Sequence, residues 1–289
     1  MKKTAVIDIG SNSVRLMFLA DGKVLYKTLA TTRLGEGLAE SPRLKAEALE
    51  RSALAVARFC EQAQKEGAEE TYAFATAAVR SAENGYEFVA RVKNLCGVEV
   101  EVIPGEKEAE IGILGALGKK DGGVIDVGGA STEIVIKTNG EIVYKKSVDI
   151  GIVRLKDTCG KDKRSLVERA KRAAQAFGKL PFTPVFYAIG GTATTLAALK
   201  WGMEVYQSEK ITGTEITARE MRETSDSLLA LTTEETASLA GIPVGRADVI
   251  AGGATLLAVL MEKLGLEKFI VSDRDNLEGY AIWKGLTVL

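Results

Sequence analysis

Two stretches of this chain have nearly the same sequence, and this repetition constrains the fold more than any other feature. Residues 5–13 read AVIDIGSNS, and residues 123–133 read GVIDVGGASTE. In each, a short apolar run ends near an aspartate, and glycine and small hydroxyl residues follow. The pattern predicts a buried strand that carries a carboxylate to its end, followed by a tight glycine turn. A chain that forms this unit twice is expected to contain two similar halves.

The two predicted turns suit a ligand that carries phosphate. Successive backbone N–H groups in a glycine turn form a concave site for anions. An aspartate beside the turn offers an oxygen ligand to a divalent cation, whose coordination phosphate and water complete. The alternative is structural, because aspartate and hydroxyl side chains in turns also bond to their own backbone. Since the pattern occurs twice, we expect two phosphate-facing loops with the site between them.

Composition excludes several classes of function. The chain has 289 residues, of which 46% are hydrophobic, which is enough for two domains with sizeable cores. The net charge of −1 differs from the strongly basic balance of a general nucleic-acid binder. The longest apolar stretch, residues 256–261, is far shorter than the roughly 20 residues of a membrane span. We therefore expect a cytoplasmic protein with no nucleic-acid polymer and no membrane as partner.

The chain contains no histidine, and this absence narrows the chemistry. It excludes Ser-His-Asp and Cys-His catalysis and metal sites with histidine ligands. Acid–base chemistry must therefore use carboxylates, lysine, tyrosine, cysteine or water. Cys60, Cys96 and Cys159 are far apart in sequence and in no metal-like spacing, so we expect reduced thiols.

Turn signals and periodicity divide the chain into two units of the same plan. Asp21-Gly22 and Asn139-Gly140 each separate two apolar runs, which predicts a hairpin directly after each glycine loop. Helices and strands alternate after each hairpin, which is typical of an α/β fold. We predict one domain over residues 1–118 and a second over residues 119–289. The last helix, about 277–289, is expected to pack back on the first domain.

Further motifs follow the loops in a recognisable order. They are residues 75–80 (ATAAVR), 104–109 (PGEKEA), 151–155 (GIVRL), 190–192 (GGT), 241–243 (GIP) and 246–250 (RADVI). Together with the two loops, they resemble the Ppx/GppA phosphatases, which are exopolyphosphatases and guanosine pentaphosphate phosphohydrolases. The resemblance implies two duplicated ribonuclease H-like domains of the actin/Hsp70/sugar-kinase superfamily, with a cleft between them.

The chain departs from the family pattern at two places. Ala130 stands where the family usually has a third glycine, and alanine is unstrained there only if its φ is negative. The chain also ends at Leu289, so it is expected to be a short form without the helical C-terminal extension of longer members.

The resemblance also implies roles for the acidic residues. Read from the sequence alone, Glu108 is a surface carboxylate in the first turn of a helix, where the helix dipole favours it. In the family, this position is the proposed general base. The metal site, for Mg²⁺ or Mn²⁺, is assigned to Asp8, Asp126 and Glu133. The alternative for Glu133 is an exposed charge on a strand.

The remaining candidates would bind phosphate, although each also has a structural alternative as a turn residue, a helix start or a salt-bridge partner. They are Ser11, Asn12, Ser13, Arg15, Arg80, Gly128, Gly129, Ser131, Thr132, Arg154, Gly190, Gly191 and Thr192.

These assignments predict a Mg²⁺-dependent exopolyphosphatase that removes the terminal phosphate of inorganic polyphosphate. The alternative substrate is guanosine pentaphosphate. A phosphotransferase on the same fold and a non-catalytic phosphate sensor are further alternatives, and the four acidic residues argue against the sensor. A short form is expected to prefer shorter polyphosphate. Family members are often dimers, so a homodimer is a possible assembly.

Overall fold

The computed structural model describes residues 2–287, which form two β-sheets with helices packed around them. The strands of the first sheet are β1 (Lys3–Ile9), β2 (Ser13–Ala20), β3 (Lys23–Thr31), β4 (Glu70–Ala75) and β5 (Val100–Val102). The strands of the second are β6 (Gly122–Val127), β7 (Thr132–Thr138), β8 (Glu141–Val148), β9 (Phe186–Ile189), β10 (Glu215–Thr217) and β11 (Lys268–Val271).

The helices follow the strands along both halves of the chain. They are α1 (Ala46–Lys65), α2 (Ala77–Ser81), α3 (Gly85–Cys96), α4 (Gly105–Leu117), α5 (Ile152–Cys159), α6 (Lys163–Ala176), α7 (Gly190–Lys200), α8 (Ser208–Ile211), α9 (Ala218–Ala230), α10 (Thr233–Ala237), α11 (Ile250–Leu264) and α12 (Asn276–Trp283), with a 3₁₀ turn at Val244–Arg246. None of the helices within residues 2–287 is long and apolar enough to cross a membrane.

The two sheets repeat one topology. The first has the order β3-β2-β1-β4-β5, and the second has the order β8-β7-β6-β9-β11-β10. In both, the first strand pairs antiparallel with the second and parallel with the fourth, and β10 is an added edge strand in the second sheet. The predicted duplicated α/β fold is therefore confirmed. The division at residue 118 remains a prediction.

The predicted hairpin turns are also confirmed. Asp21 and Gly22 have φ of 47° and 74°, and Asn139 and Gly140 have φ of 53° and 81°. Positive φ at both central residues defines the type I′ turn, whose twist matches that of the flanking strands. The strands β1 and β6 that precede these hairpins are almost wholly buried, as their apolar sequences predict.

Helix α12 packs on the first sheet although it follows the last strand of the second. The Tyr280 ring stacks on Phe74 of β4, with ring centroids 4.3 Å apart. Val6, Leu277 and Ala281 join the same buried cluster. Residues 288 and 289, which belong to the predicted last segment, lie outside the described residues.

The structure differs from the sequence prediction mainly at short elements. Helices α2, α5 and α8 and strand β10 were not expected, because elements this short show too little periodicity to detect. The RADVI motif begins at the end of the 3₁₀ turn Val244–Arg246 and ends at the start of α11.

Candidate active site

The two glycine loops meet between the sheets, at the carboxyl ends of β1 and β6, and enclose a cavity of about 80 Å³. Ligands of open α/β sheets generally bind at this end of the strands. The predicted residues that line it are Asp8, Ser11, Asn12, Ser13, Arg15, Glu108, Asp126, Gly128, Gly129, Ser131, Gly190, Gly191 and Thr192.

The loops have the same local structure. The Gly10 N–H donates to the Ser13 carbonyl at 3.0 Å, and the Gly128 N–H donates to the Ser131 carbonyl at 3.0 Å. The sequence repetition therefore corresponds to one turn formed twice. In this turn, glycine and small residues keep the backbone accessible at the cavity wall.

The loops touch each other where Gly129 meets the first loop. A Cβ atom at Gly129 would lie 2.7 Å from Ser11 Cβ and 3.0 Å from the Asn12 nitrogen. Both distances are shorter than ordinary contacts, so only glycine allows this approach. Direct contact therefore sets the smallest separation that the two loops can have.

The two loop aspartates have different cross-strand partners. Asp8 pairs in register with Arg15, which donates from Nε to Asp8 Oδ2 at 2.9 Å. At the equivalent position of the second unit, the partner of Asp126 is Glu133. Asp126 accepts a hydrogen bond from Asn276 Nδ2 at 3.1 Å and faces no cation at this register position. Uncompensated negative charge is therefore concentrated beside the second loop.

The pKa values reflect this charge. Burial, together with the neighbouring charges of Asp275 and Glu108, raises the pKa of Asp126 to about 8. Burial also raises the pKa of Glu133 well above its ordinary value, with contributions from Glu108 and Asp126. For Asp8, burial raises the pKa against the lowering effect of Arg15. Mutual repulsion of this kind is relieved when a cation binds.

Glu108 belongs to the cavity wall and not to the protein surface. It lies in the first turn of α4, is 6% exposed, and accepts a hydrogen bond from Arg80 Nη1 at 2.9 Å. The same nitrogen donates to the Ile103 carbonyl, which holds the guanidinium in place. Burial raises the pKa of Glu108, opposed by Arg80 and Thr76. Raising the pKa of a carboxylate makes it a stronger base for a proton from water.

Four predicted residues lie outside the cavity lining. Thr132 donates its hydroxyl to the Ile150 carbonyl at 2.6 Å, so it holds the backbone. Arg154 donates to the Ala130 carbonyl at 2.9 Å and supports the second loop from behind. Arg80 acts on Glu108 as described. Glu133 accepts from Ser147 Oγ at 2.7 Å and lies beside Asp126.

Three lining residues with polar side chains were not predicted as site residues: Arg246, Asn276 and Thr76. The guanidinium of Arg246 lies against Gly191, where a Cβ atom would be 1.9 Å from Arg246 Nη2. This arginine is 7% exposed, and the negative charge of Asp275 attracts its guanidinium. Burial lowers its pKa to about 10. The RADVI motif contained this arginine, but its role depends on a contact with a distant loop.

The last helix supplies a further residue, Asp275, directly behind the wall. Asp275 forms an ion pair with Arg15 and accepts a hydrogen bond from the Leu277 N–H at 3.0 Å as the cap of α12. It is the cap of a capping box with Glu278, a pattern that the sequence shows. The pairing with Arg15 could not be read from the sequence, because the partners belong to opposite ends of the chain.

The oxygen atoms in and beside the cavity lining suit Mg²⁺ as ligands. Three buried oxygens of lining residues, Asp8 Oδ1, Asn12 Oδ1 and Asn276 Oδ1, have no hydrogen-bond partner in the described part of the chain, nor does Glu133 Oε2. Unpartnered buried oxygens beside repelling carboxylates fit a hard cation. Residues 2–287 contain no ready cluster of three or more acidic, histidine or cysteine ligands. Mg²⁺ usually takes one or two carboxylates and completes its coordination with water and phosphate.

Ala130 causes no backbone strain in the second loop. The non-glycine residues with positive φ within residues 2–287 are Asp21, Arg33 and Asn139, so the φ of Ala130 lies outside the left-handed region. Alanine is fully buried here, and the loop keeps the same turn hydrogen bond as the first loop.

Sequence comparisons with known proteins extend over nearly the whole chain. The profile of the Ppx/GppA phosphatase family matches residues 6–282. Exopolyphosphatase 2 of Mycobacterium tuberculosis is 32% identical to this chain, and the alignment covers 98% of each. The guanosine-5'-triphosphate,3'-diphosphate pyrophosphatase of Photobacterium profundum is 29% identical over 95% of this chain and 58% of its own length.

A solved structure extends the comparison to the fold. The crystal structure of the Aquifex aeolicus member of the Ppx/GppA family superimposes with a TM-score of 0.79. It is 30% identical, and the match covers 99% of this chain and 98% of that one. Since the family profile spans nearly all of the sequence and both halves superimpose on a solved member, this chain belongs to the Ppx/GppA phosphatase family.

Proposed function

We propose that this protein hydrolyses the terminal phosphoanhydride bond of inorganic polyphosphate, with Mg²⁺ or Mn²⁺ as cofactor. The observation that carries the proposal is the position of Glu108, which is buried in the wall of a cavity enclosed by two anion-binding loops. The similarity to an exopolyphosphatase, which covers 98% of each chain, supports this substrate.

The position of the cavity suits the end of a phosphate chain. It has a volume of about 80 Å³ between the two loops and is partly open to solvent. A terminal phosphoryl group can therefore lie beside Glu108 while the rest of the substrate extends out of the opening. An enzyme that removes one phosphate at a time from a chain end needs a site of this kind.

The chain's own residues account for the steps around the phosphorus atom. Glu108 accepts a proton from the attacking water as its oxygen bonds to phosphorus, and the bond to the bridging oxygen breaks to release a shorter chain. Arg80 holds the Glu108 carboxylate in place. Backbone N–H groups of both loops and Arg246, which lines the cavity, stabilise the charge on the phosphoryl oxygens.

A bound Mg²⁺ would supply further charge neutralisation at the phosphate oxygens. Asp8 and Asp126 would hold it from the two loops, and Glu133 would support it from beside Asp126. Arg15 is already engaged by Asp8 and Asp275, so we assign it the positioning of these carboxylates. Arg154 and Thr132 are assigned the support of the second loop.

Guanosine pentaphosphate is the second candidate substrate. The similarity to the Photobacterium profundum enzyme favours it, and its terminal phosphate requires the same chemistry. The chain spans only 58% of that enzyme, whereas it matches the exopolyphosphatase throughout. We therefore place polyphosphate first. The proposal implies a cytoplasmic enzyme with no nucleic-acid polymer and no membrane as partner, and a homodimer stays an expectation.

The test is phosphate release from polyphosphates of defined length, guanosine pentaphosphate and ATP, each with Mg²⁺ and with a chelator. The proposal expects Mg²⁺-dependent release that is fastest with polyphosphate. Faster release from guanosine pentaphosphate would favour the second candidate. Formation of ATP from ADP and polyphosphate would indicate a phosphotransferase, and binding without turnover would indicate a sensor.

A further inference from the structure

A short segment after β3 is attached directly to the first glycine loop. The backbone N–H groups of Thr32 and Arg33 donate to the Asn12 carbonyl at 3.0 and 2.9 Å, and the Gly35 N–H donates to the Ser11 carbonyl at 2.8 Å. These bonds leave the segment little freedom to move relative to the loop. A force that acts on Arg33 is therefore transmitted to Ser11 and Asn12.

Helix α5 is attached in the same way to the second glycine loop. The Ile152 N–H donates to the Gly128 carbonyl at 3.0 Å, and the Val153 N–H donates to the Gly129 carbonyl at 2.8 Å. Lys156 lies one turn further along this helix. The position of Lys156 is therefore coupled to the position of the second loop.

One carboxylate joins these two supports. Arg33 donates from Nη1 to Asp248 Oδ2 at 2.7 Å and from Nη2 to Asp248 Oδ1 at 2.8 Å. Lys156 forms an ion pair with the same carboxylate. The Asp248 side chain is 15% exposed, and two-point contacts of this kind fix both distance and direction.

Arg246, which lines the cavity, belongs to the same short stretch of chain as Asp248. Asp248 follows Arg246 by two residues, and the Val249 N–H donates to the Arg246 carbonyl at 3.1 Å. The Arg246 guanidinium lies against Gly191. Asp248 thus connects the first loop, the second loop and Arg246, the arginine that lines the cavity.

We propose that Asp248 is a positioning residue that sets the separation of the two glycine loops through Arg33 and Lys156. Its kinetic consequences rest on the proposed function. Because the loops are already in contact at Ser11 and Gly129, loss of this bridge lets them move apart. A displacement of about 1 Å of a positioning group is enough to cost on the order of 100-fold in rate.

The kinetic test uses Asp248→Asn, Arg33→Ala and the double variant Arg33→Ala/Asp248→Asn. We expect each single variant to lower kcat by roughly 10- to 100-fold with KM changed less than about threefold. The double variant should be no more than about threefold slower than the worse single variant, because the residues act as one unit. Arg33→Lys, which keeps the charge but loses the two-point contact, should fall between Arg33→Ala and wild type.

The matched control is Arg91→Ala. Arg91 also binds a carboxylate at two points, with distances of 2.9 and 2.7 Å to Glu50, but this pair is exposed and lies within the first half of the chain. Its removal should leave kcat unchanged. Equal losses in Arg91→Ala and Asp248→Asn would overturn the proposal, and so would multiplicative effects in the double variant.

Amide hydrogen exchange tests the coupling without any activity. In Asp248→Asn, the amides of Arg33 and Gly35 and those of Ile152 and Val153 should exchange at least about fivefold faster than in wild type, while Arg91→Ala leaves them unchanged. Unchanged exchange at either group of amides would overturn the proposal. If the wild-type protein hydrolyses none of the substrates, the proposed function fails, and hydrogen exchange alone decides the role of Asp248.

Discussion

Substitution of Gly129 by alanine tests the contact between the two glycine loops. The new methyl group would lie 2.7 Å from Ser11 Cβ, which is about 0.7 Å closer than the 3.4 Å at which ordinary contacts begin. The next atom, the Asn12 nitrogen at 3.0 Å, is backbone and cannot rotate away. Ser11 is 3% exposed and already lies against Gly35, where a Cβ atom would be only 2.9 Å from Ser11 Cβ. The loops must therefore separate to admit the methyl group.

Both consequences of this separation can be estimated. Overpacking of a closely packed contact costs about 1–3 kcal/mol, so the free energy of unfolding should fall by that amount. A shift approaching 1 Å at the phosphoryl site should lower kcat by roughly 10- to 100-fold. Phosphate release under saturating substrate measures the second effect, and urea denaturation measures the first.

Gly252→Ala is the matched control. Gly252 lies in α11. A Cβ atom there would lie 3.5 Å from Leu155 Cβ in α5 and 3.6 Å from Leu166 Cδ2 in α6, which are ordinary contacts between helices. Alanine should stabilise this helix interior by about 0.5–1 kcal/mol and leave kcat unchanged. If Gly129→Ala keeps full activity and stability, the loops are not held at contact distance and the reasoning about the cavity is wrong.

Three further predictions concern neighbouring features. Asn276→Asp adds a carboxylate beside Asp126 and removes a hydrogen bond of 3.1 Å. The Mg²⁺ concentration needed for half-maximal phosphate release should therefore change by at least about threefold. An unchanged requirement would contradict the placement of the metal site beside Asp126. Tyr280→Ala removes the ring that anchors α12 to the first sheet and should lower the free energy of unfolding by about 3–5 kcal/mol in urea denaturation; a loss below about 1 kcal/mol would contradict that anchoring. Burial and the Glu66 hydrogen bond raise the pKa of Tyr26 to about 12. The folded state therefore favours the neutral phenol of Tyr26. The contribution of this phenol to stability should be complete below about pH 10 and be lost as the pH rises toward 12. Denaturation curves of Tyr26→Phe should show a smaller loss of stability than wild type across this range, and parallel curves would refute the assignment.

Local patterns predicted the parts of the fold that depend on neighbouring residues. The repeated apolar-Asp-Gly segments indicated β1 and β6, and Asp21-Gly22 and Asn139-Gly140 indicated the hairpins. Sequence order also allowed both loop aspartates to be placed at strand ends. These features are decided within a few residues, so the sequence carries enough information for them.

Contacts between distant segments were not predictable in this way. Glu108 is a surface carboxylate by helix position alone, and only the packing of α4 between the sheets buries it. The pairing of Arg15 with Asp275 and of Arg33 with Asp248 joins residues from opposite ends of the chain. Thr132 carries a hydroxyl that could bind phosphate, but this hydroxyl donates its hydrogen bond to the Ile150 carbonyl of a neighbouring segment. Each outcome depends on tertiary packing.

The central claim is that Glu108 accepts the proton of the water that attacks a terminal phosphoryl group. Glu108→Gln keeps the size of the side chain and its ability to accept from Arg80, but it removes the basic carboxylate. The direct measurement is kcat for phosphate release from polyphosphate in this variant, together with polyphosphate binding. We predict a fall in kcat of at least about 100-fold with binding retained. Turnover equal to that of the wild-type protein would contradict the role of Glu108.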